Sequence, residues 1–216
     1  MQALATLMTG AHPIARWGSD ELKQELLPGV ASGELLLTAA IREPSDPQPD
    51  LSATTITNGK LTGTKIGVPY AEQSRLVLVP SSMIMASSGQ IATKTGHDHG
   101  VALLDPHAPG VELTRTPSSS GEPECTLRMD QAPVEGMLGG ADCVRDLYQL
   151  ATAGACALAD GAVAGAETVL DLLGPDGAAE SEASGEFLLT RCLSIAGGTT
   201  QVLLNQVAER VLGLPR

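Results

Sequence analysis

The chain is poor in aromatic and in basic residues. It has one Trp, two Tyr and one Phe among 216 residues, so its core must be built from Leu, Val, Ile, Ala and Met. Its 13 Lys and Arg are outnumbered by 25 Asp and Glu, for a net charge of −12. Because phosphate backbones are bound by clustered Lys and Arg, we expect no nucleic-acid partner. A local basic pocket remains compatible with a small anionic ligand.

Long apolar runs and cysteine motifs are also missing. No run reaches the roughly 18 apolar residues of a membrane helix, so no membrane partner is expected. Residues Met1 to Met8 lack the charged start and the cleavage site of a secretory signal. No C-x-x-C pair occurs among Cys125, Cys143, Cys156 and Cys192. This pattern favours buried thiols in a reducing compartment, and a cytoplasmic location is the expectation.

The first region, residues 1–33, has helical patterning. Ser19 is a candidate N-cap, and the spacing places Leu22, Leu26 and Leu27 on one helix face. Pro28 is expected to end or to kink this helix.

Residues 34–140 are typical of short strands separated by Gly, Pro and Ser. The first predicted strand covers Leu35–Ile41, and Asn58-Gly59 predicts the tight turn of a hairpin. The stretches RLVLVP, GVALLD, GVELTRTP and CTLRMD follow as further strands. Such a series indicates a barrel or a sandwich. The segment at residues 81–100 is ambiguous between a broken strand pair and a loop.

Residues 141–216 are predicted to be helical, with a stop at Gly174-Pro175. A Gly-Gly-Thr-Thr-Gln stretch precedes the last predicted helix. From the local pattern alone, Gly197-Gly198 is a helix C-cap, followed by an N-cap at Thr199.

Three separated stretches carry a family resemblance. They are GSDELKQELLPGVASGELLLTAAIREP, TNGKLTGTKIGVPYAEQSRLVLV and IAGGTTQVLLNQVAERVLGLPR. In this order they resemble the acyl-CoA dehydrogenase family. The resemblance implies an α+β fold with a central β-barrel or sandwich module. It makes residues 1–33 a remnant of the N-terminal helical domain, residues 34–140 the middle β domain and residues 141–216 a shortened C-terminal helical domain.

The resemblance also implies a chemistry. Family members use FAD for the α,β-desaturation of an acyl-CoA thioester, including fatty-acid and steroid side-chain thioesters, and pass electrons to an electron-transfer acceptor. They assemble as homo- or hetero-oligomers. By match to the family loop before the last helix, Gly198, Thr199 and Gln201 are the expected cofactor-binding residues.

The two family positions for the catalytic glutamate are not acidic here. They hold Gly197 and Tyr148, and a tyrosine, with a pKa near ~10, is a poor base at neutral pH. Asp146 is two residues from Tyr148, so the two cannot share a helix face. It is interpreted as a solvated surface charge. No catalytic residue is therefore assigned.

The flavin-facing side of the resemblance also departs from the family. Arg42 stands where a Thr is common, and Gly67 and Pro69 stand where many members have a Trp and a Thr or Ser. Glu43 and Pro44 are retained, and Glu43 is interpreted as structural.

The chain resembles a shortened member. By the resemblance, only residues 1–33 are expected to correspond to the family's N-terminal helical domain, and no counterpart is expected for the long helices that should lie near Thr168. Three explanations are open: a degenerate relative, an incompletely recorded gene, or one partner of a hetero-oligomer. The last would be like the base-lacking subunit of actinobacterial hetero-oligomeric acyl-CoA dehydrogenases. Two functions are compatible with the resemblance, a dehydrogenase and a non-catalytic subunit that serves assembly. A third, a stand-alone β-barrel binding module, would need a closed apolar pocket that the sequence does not reveal.

One motif has the residues of a metal site. In His97-Asp98-His99 the two imidazoles would share a strand face. No third ligand is evident, whereas zinc sites use three or four. The motif is interpreted as a solvated loop, and no metal is predicted.

Overall fold

A computed structural model describes residues 5–44, 52–83, 98–118, 121–151 and 154. The chain divides into two compact units, Met1–Tyr148 and Gln149–Arg216. The predicted domain boundaries at residues 33 and 140 stay a prediction.

The described part is α+β, as predicted. The helices are α1 (Ala5–Ala11, wound as a π-helix), α2 (His12–Trp17), α3 (Asp20–Ser32) and α4, which begins at residue 141 and is described to residue 151. A single 3-10 turn covers Ala71–Gln73. The strands are β1 (Leu37–Ala39), β2 (Thr55–Thr57), β3 (Lys60–Pro69), β4 (Leu76–Met83), β5 (Asp98–Leu104), β6 (Val111–Thr116), β7 (Glu124–Pro133) and β8 (Gly136–Leu138). None of the described helices is long and apolar enough to span a membrane.

Helix α3 begins where the sequence predicts and ends later. The Ser19 hydroxyl accepts a hydrogen bond from the Leu22 amide at 3.3 Å, which confirms the N-cap. The helix does not end at Pro28 but continues to Ser32, where Gly33 caps it with a φ of +79°. Proline removes one hydrogen-bond donor from the helix. Burial of Val30 beyond the proline and the glycine cap offset that loss.

The predicted strand Leu35–Ile41 is shorter in the structure. Only Leu37–Ala39 pairs with β4, in parallel. The Ala40 amide makes a last hydrogen bond to the Leu78 carbonyl at 2.9 Å. Beyond this bond the chain leaves β4 and crosses to β3.

The predicted hairpin is confirmed. Strands β2 and β3 pair antiparallel around Asn58-Gly59, whose φ angles are +52° and +73°. Positive φ at both turn positions is what a type I′ turn requires.

The eight strands form one connected mixed sheet in the order β6-β7-β3-β2-β4-β5-β8, with β1 beside β4. Strands β4 and β5 are buried on both faces. Their alternate residues enter two hydrophobic clusters, one shared with the helices and one shared with β3 and β7. This explains why residues 76–79 of β4 and 101–104 of β5 are apolar at every position. The ambiguous segment contributes the ends of both strands, while residues 84–97 lie outside the described part.

Candidate functional site

The segment that follows β1 carries a buried carboxylate, that of Glu43. Glu43 Oε1 accepts hydrogen bonds from Lys65 Nζ at 2.7 Å, from the Ser52 and Thr54 hydroxyls at 2.7 Å each and from the Thr54 amide at 3.1 Å. Glu43 Oε2 accepts from the Ala53 amide at 2.7 Å. The Lys65 and Glu43 side chains are 0% and 5% exposed. These five residues are here called the Glu43 clamp.

The clamp keeps its carboxyl group ionised. Burial alone would raise the pKa of Glu43, but the hydrogen bonds from Lys65, Ser52 and Thr54 and the charge of Lys65 lower this pKa to about 2. Burial lowers the pKa of Lys65, and Glu43 opposes that change. Since five donors occupy a carboxylate with such a low pKa, Glu43 cannot accept a substrate proton near neutral pH. The interpretation of Glu43 as structural agrees with this geometry.

The alternation of residues along β3 is a sequence signal for the Glu43 clamp. Lys65 is four residues from Leu61 in β3, so strand alternation puts both on the same face. That face is the core side, because Leu61 and Lys65 are both fully buried. A lysine on a core face needs a buried carboxylate, and Glu43 is that carboxylate.

Tyr148, at one of the two glutamate positions of the resemblance, is tied to the same segment. Its hydroxyl donates a hydrogen bond to the Ile41 carbonyl at 3.0 Å, two residues before Glu43. The hydroxyl therefore supplies a hydrogen bond to a main-chain carbonyl in the segment that has left β4.

The interpretation of Asp146 as a solvated surface charge is wrong. Asp146 Oδ2 accepts from Trp17 Nε1 at 2.9 Å and lies 2.8 Å from Arg16 Nη1. Its side chain is only 18% exposed. A carboxylate removed from water is paired, and here both partners come from α2, where Trp17 lies 129 residues before Asp146. Asp146 and Tyr148 do contact different parts of the molecule, as their spacing predicts.

A β-bulge lies beside the Glu43 clamp. The β3–β7 register shifts between Lys65 and Val68, and Gly67 there has a φ of +59°. A side chain at Gly67 would be strained, yet among the described residues a Cβ atom there would meet only Glu124 Oε2, at 3.8 Å. The Ile66 amide donates to the Arg42 carbonyl at 2.9 Å. The described residues thus leave space beside the bulge, next to the main chain of Arg42.

Similarity to known proteins decides the family. The chain is 39% identical over 171 residues to acyl-CoA dehydrogenase FadE28 of Mycobacterium tuberculosis. The match covers 76% of this chain. The chain belongs to the acyl-CoA dehydrogenase family. It spans less than half of that relative, 44% of its length. No protein-family model matches the chain.

Solved structures show the acyl-CoA dehydrogenase fold. The ChsE4-ChsE5 complex from Mycobacterium tuberculosis matches with a TM-score of 0.69 at 14% identity, over 99% of this chain and 78% of that one. A glutaryl-CoA dehydrogenase from Mycobacterium smegmatis in complex with FADH2 matches with a TM-score of 0.64 at 15% identity, over 97% and 74%.

The structure tests the predicted site of this chain only in part. Gly197, Gly198, Thr199 and Gln201 lie outside the described residues, so their contact with FAD stays a prediction. Of the cysteines, Cys125 and Cys143 are buried free thiols, and the other two lie outside as well.

The metal motif is described only in part. Asp98 and His99 lie in strand β5, not in a loop, and His99 Nδ1 is 3.3 Å from the Ser82 hydroxyl. The loop interpretation is wrong for these two residues, because β5 continues the pairing of β4 to its end. His97 lies outside the described part. Within that part, no three His, Cys, Asp or Glu side chains converge as a metal site requires.

The described side of the site is compatible with FAD. FAD has a planar ring system and a diphosphate. The open space at Gly67 admits a ligand close to the main chain, and the exposed Arg42 forms no ion pair within the described residues.

Proposed function

We propose that this chain is a subunit of a FAD-dependent acyl-CoA dehydrogenase that takes part in the α,β-desaturation of an acyl-CoA thioester. When bound, FAD accepts the hydride that leaves the β-carbon. The residues proposed to hold it are Gly198, Thr199 and Gln201, together with the main chain at the Gly67 bulge. The acyl-CoA substrate, fatty or steroid, is proposed on family grounds.

The proposed subunit role is supported by the pKa of Glu43 and by the hydrogen bonds that Glu43 and Tyr148 already make. A base must take the α-proton of the thioester. Glu43 has a pKa of about 2 and a full set of donors, and the Tyr148 hydroxyl is bonded to a carbonyl. Neither group suits the task, and Gly197 has no side chain. We therefore assign the base to a second acyl-CoA dehydrogenase subunit.

A two-subunit arrangement has a structural precedent. The ChsE4-ChsE5 structure is a complex, and a chain of it has this fold. The same observations also favour a second candidate function, in which the chain serves assembly of a larger dehydrogenase complex and does no chemistry. In either case the proposed partners are a second subunit and an electron-transfer acceptor.

Flavin content separates the two functions. We expect the purified chain, alone or co-expressed with a family member that has the glutamate, to show a bound-flavin absorption band on an oligomer of defined mass. Anaerobic acyl-CoA should bleach that band only when the glutamate-bearing subunit is present. A flavin-free chain that still joins the oligomer would favour the assembly role. Bleaching of the band by the chain alone would show that the chain has a catalytic base of its own.

A further inference from the structure

A cavity of about 240 Å³ lies between the first half of α3 and the sheet, and it is here called the α3 cavity. Sites that hold a drug-sized ligand measure roughly 300–1,000 Å³, so this one is too small for FAD or for an acyl-CoA and suits a single long side chain. No lining residue belongs to the Glu43 clamp or to the Gly67 bulge. The lining includes Leu22 and Glu25 of α3, Leu76 of β4, Leu103 of β5, and Glu135 and Gly136 at the entry to β8.

Gly136 helps to keep the cavity open, because it has no side chain. It pairs with Leu103 in the β5–β8 register, and directly paired residues project from the same face of a sheet. A side chain at position 136 would therefore stand beside Leu103, inside the cavity. Among the described residues, a Cβ atom there would meet only Leu103 Cδ1, at an ordinary contact distance of 3.5 Å.

The walls of the α3 cavity are held in place. The Glu135 amide donates to the Leu103 carbonyl at 2.9 Å, and the Glu135 carboxylate accepts hydrogen bonds from the Arg75 guanidinium at 2.9 and 3.0 Å. On the other side, the Ser19 cap fixes the start of α3, and Leu22 packs against the core. A ligand therefore meets preformed walls, which lowers the cost of binding.

Negative charge exceeds positive charge at the rim of the α3 cavity. Hydrogen bonds to Glu135 raise the pKa of Arg75, and the charges of two further carboxylates, Asp105 and Glu25, raise it more. One cation thus lies in the field of three carboxylates. Glu25 is exposed and forms no ion pair among the described residues. Such a rim repels the phosphates of FAD and of CoA and attracts a cation.

An apolar floor below an uncompensated carboxylate fits a particular kind of ligand. Lysine and arginine pack their aliphatic stems on apolar surface and keep the charged end at the rim. We propose that the α3 cavity binds a basic side chain of a partner polypeptide, with the stem on its three leucines and the cation beside Glu25. Met137 also lines the cavity and is 39% exposed. Apolar neighbours of the basic residue in a polypeptide would cover Met137, whereas a small free amine would not.

NMR titration of the isotope-labelled chain with a blocked Leu-Lys-Leu tripeptide tests the proposal. Two counterpart peptides keep the flanking leucines and replace the lysine by norleucine, which has no charge, or by glutamate, which reverses it. n-Butylamine supplies an ammonium group on an aliphatic stem without the peptide. The backbone amide signals of the lining residues report where each probe binds.

Three variants accompany the titration. Glu25→Gln removes the charge at the rim, and Gly136→Val fills the cavity at a position whose φ is not positive. Glu34→Gln is the matched control, because it removes the same charge from an exposed glutamate just beyond the other end of α3. Thermal melting checks that each variant folds, and Gly136→Ala replaces Gly136→Val if the larger side chain prevents folding.

We expect the lysine peptide to shift the amide signals of Leu22, Leu103 and Gly136. The norleucine peptide, or Glu25→Gln with the lysine peptide, should bind about 2- to 5-fold more weakly, which is the size expected for an exposed ion pair. The glutamate peptide should not bind. Gly136→Val should weaken binding by more than about 10-fold, because its side chain occupies the cavity. Glu34→Gln should bind like wild type.

The inference would be overturned by any of three results. Equal affinity for the lysine and norleucine peptides would show that Glu25 attracts no cation. Equal affinity for n-butylamine and the lysine peptide would make the ligand a small amine and not a polypeptide. Unchanged amide signals at the lining residues would show that the cavity holds only water.

Failure of this inference and failure of the proposed function are distinguishable, because none of these measurements involves flavin. A chain that binds FAD but no peptide would keep the proposed function and lose the docking site. A chain that binds the lysine peptide at the α3 cavity but no FAD would do the reverse.

Discussion

Lys65 Nζ lies 2.7 Å from Glu43 Oε1, and neither side chain is more than 5% exposed. The pair joins the interior of β3 to the segment that follows β1. Breaking one member of a buried ion pair leaves an uncompensated charge, whereas removing both leaves none.

Glu43→Gln is expected to lower the free energy of unfolding by about 3–5 kcal/mol, because it strands the Lys65 ammonium in the core. Lys65→Met should cost less, since the Ser52, Ala53 and Thr54 donors still reach Glu43. Urea denaturation measures both. The double variant Glu43→Gln/Lys65→Met should lose less than the sum of the two. Strict additivity would show that the two side chains do not interact energetically.

Acid should lower the free energy of unfolding, because it protonates the Glu43 carboxylate. In the native state the pKa of Glu43 is lowered from 4.5 to about 2. In the unfolded chain Glu43 is protonated below about pH 4.5, whereas in the native state it is protonated only near pH 2. The stability that the ionised Glu43 contributes is therefore complete above pH 4.5 and is lost as pH falls through 2. It amounts to about 3 kcal/mol. Urea midpoints measured between pH 7 and pH 2.5 should fall more steeply for wild type than for Glu43→Gln/Lys65→Met. Parallel curves would contradict the assignment.

Fluorescence can monitor the contact between Trp17 of α2 and Asp146 of α4, because Trp17 is the only tryptophan. Asp146→Asn weakens the charge-assisted bonds to Trp17 and Arg16 and should cost about 1–2 kcal/mol. It should also shift the Trp17 emission of the native state. Asp142→Asn is the control, since its pair with Arg145 is exposed and three residues away on one helix. The control should cost at most ~0.5 kcal/mol and leave the emission unchanged. Equal effects of the two substitutions would show that Asp146 behaves as a surface charge.

Tyr148→Phe separates a structural from a catalytic tyrosine. Loss of the bond to the Ile41 carbonyl should cost about 1 kcal/mol of stability. If Tyr148 is not the base, the pH profile of flavin reduction in the assembled enzyme should keep its shape. A profile that loses an ionisation in the variant would make Tyr148 a participant in proton transfer.

Features set by neighbouring residues were predictable from the sequence. The Ser19 cap and the Asn58-Gly59 hairpin depend on bonds and φ angles within four residues, and both are confirmed. The acyl-CoA dehydrogenase fold was predictable from three local stretches. The end of α3 was not, because burial of Val30 and the αL cap at Gly33 outweigh the local effect of Pro28.

Contacts between distant parts of the chain were not predictable. Asp146 was interpreted as solvated because nothing near it in the sequence shows that Trp17 and Arg16 of α2 contact it. The same holds for Tyr148 and the Ile41 carbonyl, 107 residues apart.

The sequence by itself determined the acidic balance, the Ser19 cap, the Asn58-Gly59 hairpin and the absence of a glutamate at both expected base positions. These follow from residue identity and short-range geometry. The tertiary structure alone decided that Lys65 neutralises Glu43 and that Asp146 joins two helices. Pairing of charges depends on which side chains meet in space, and a low-dielectric interior makes each such meeting energetically decisive.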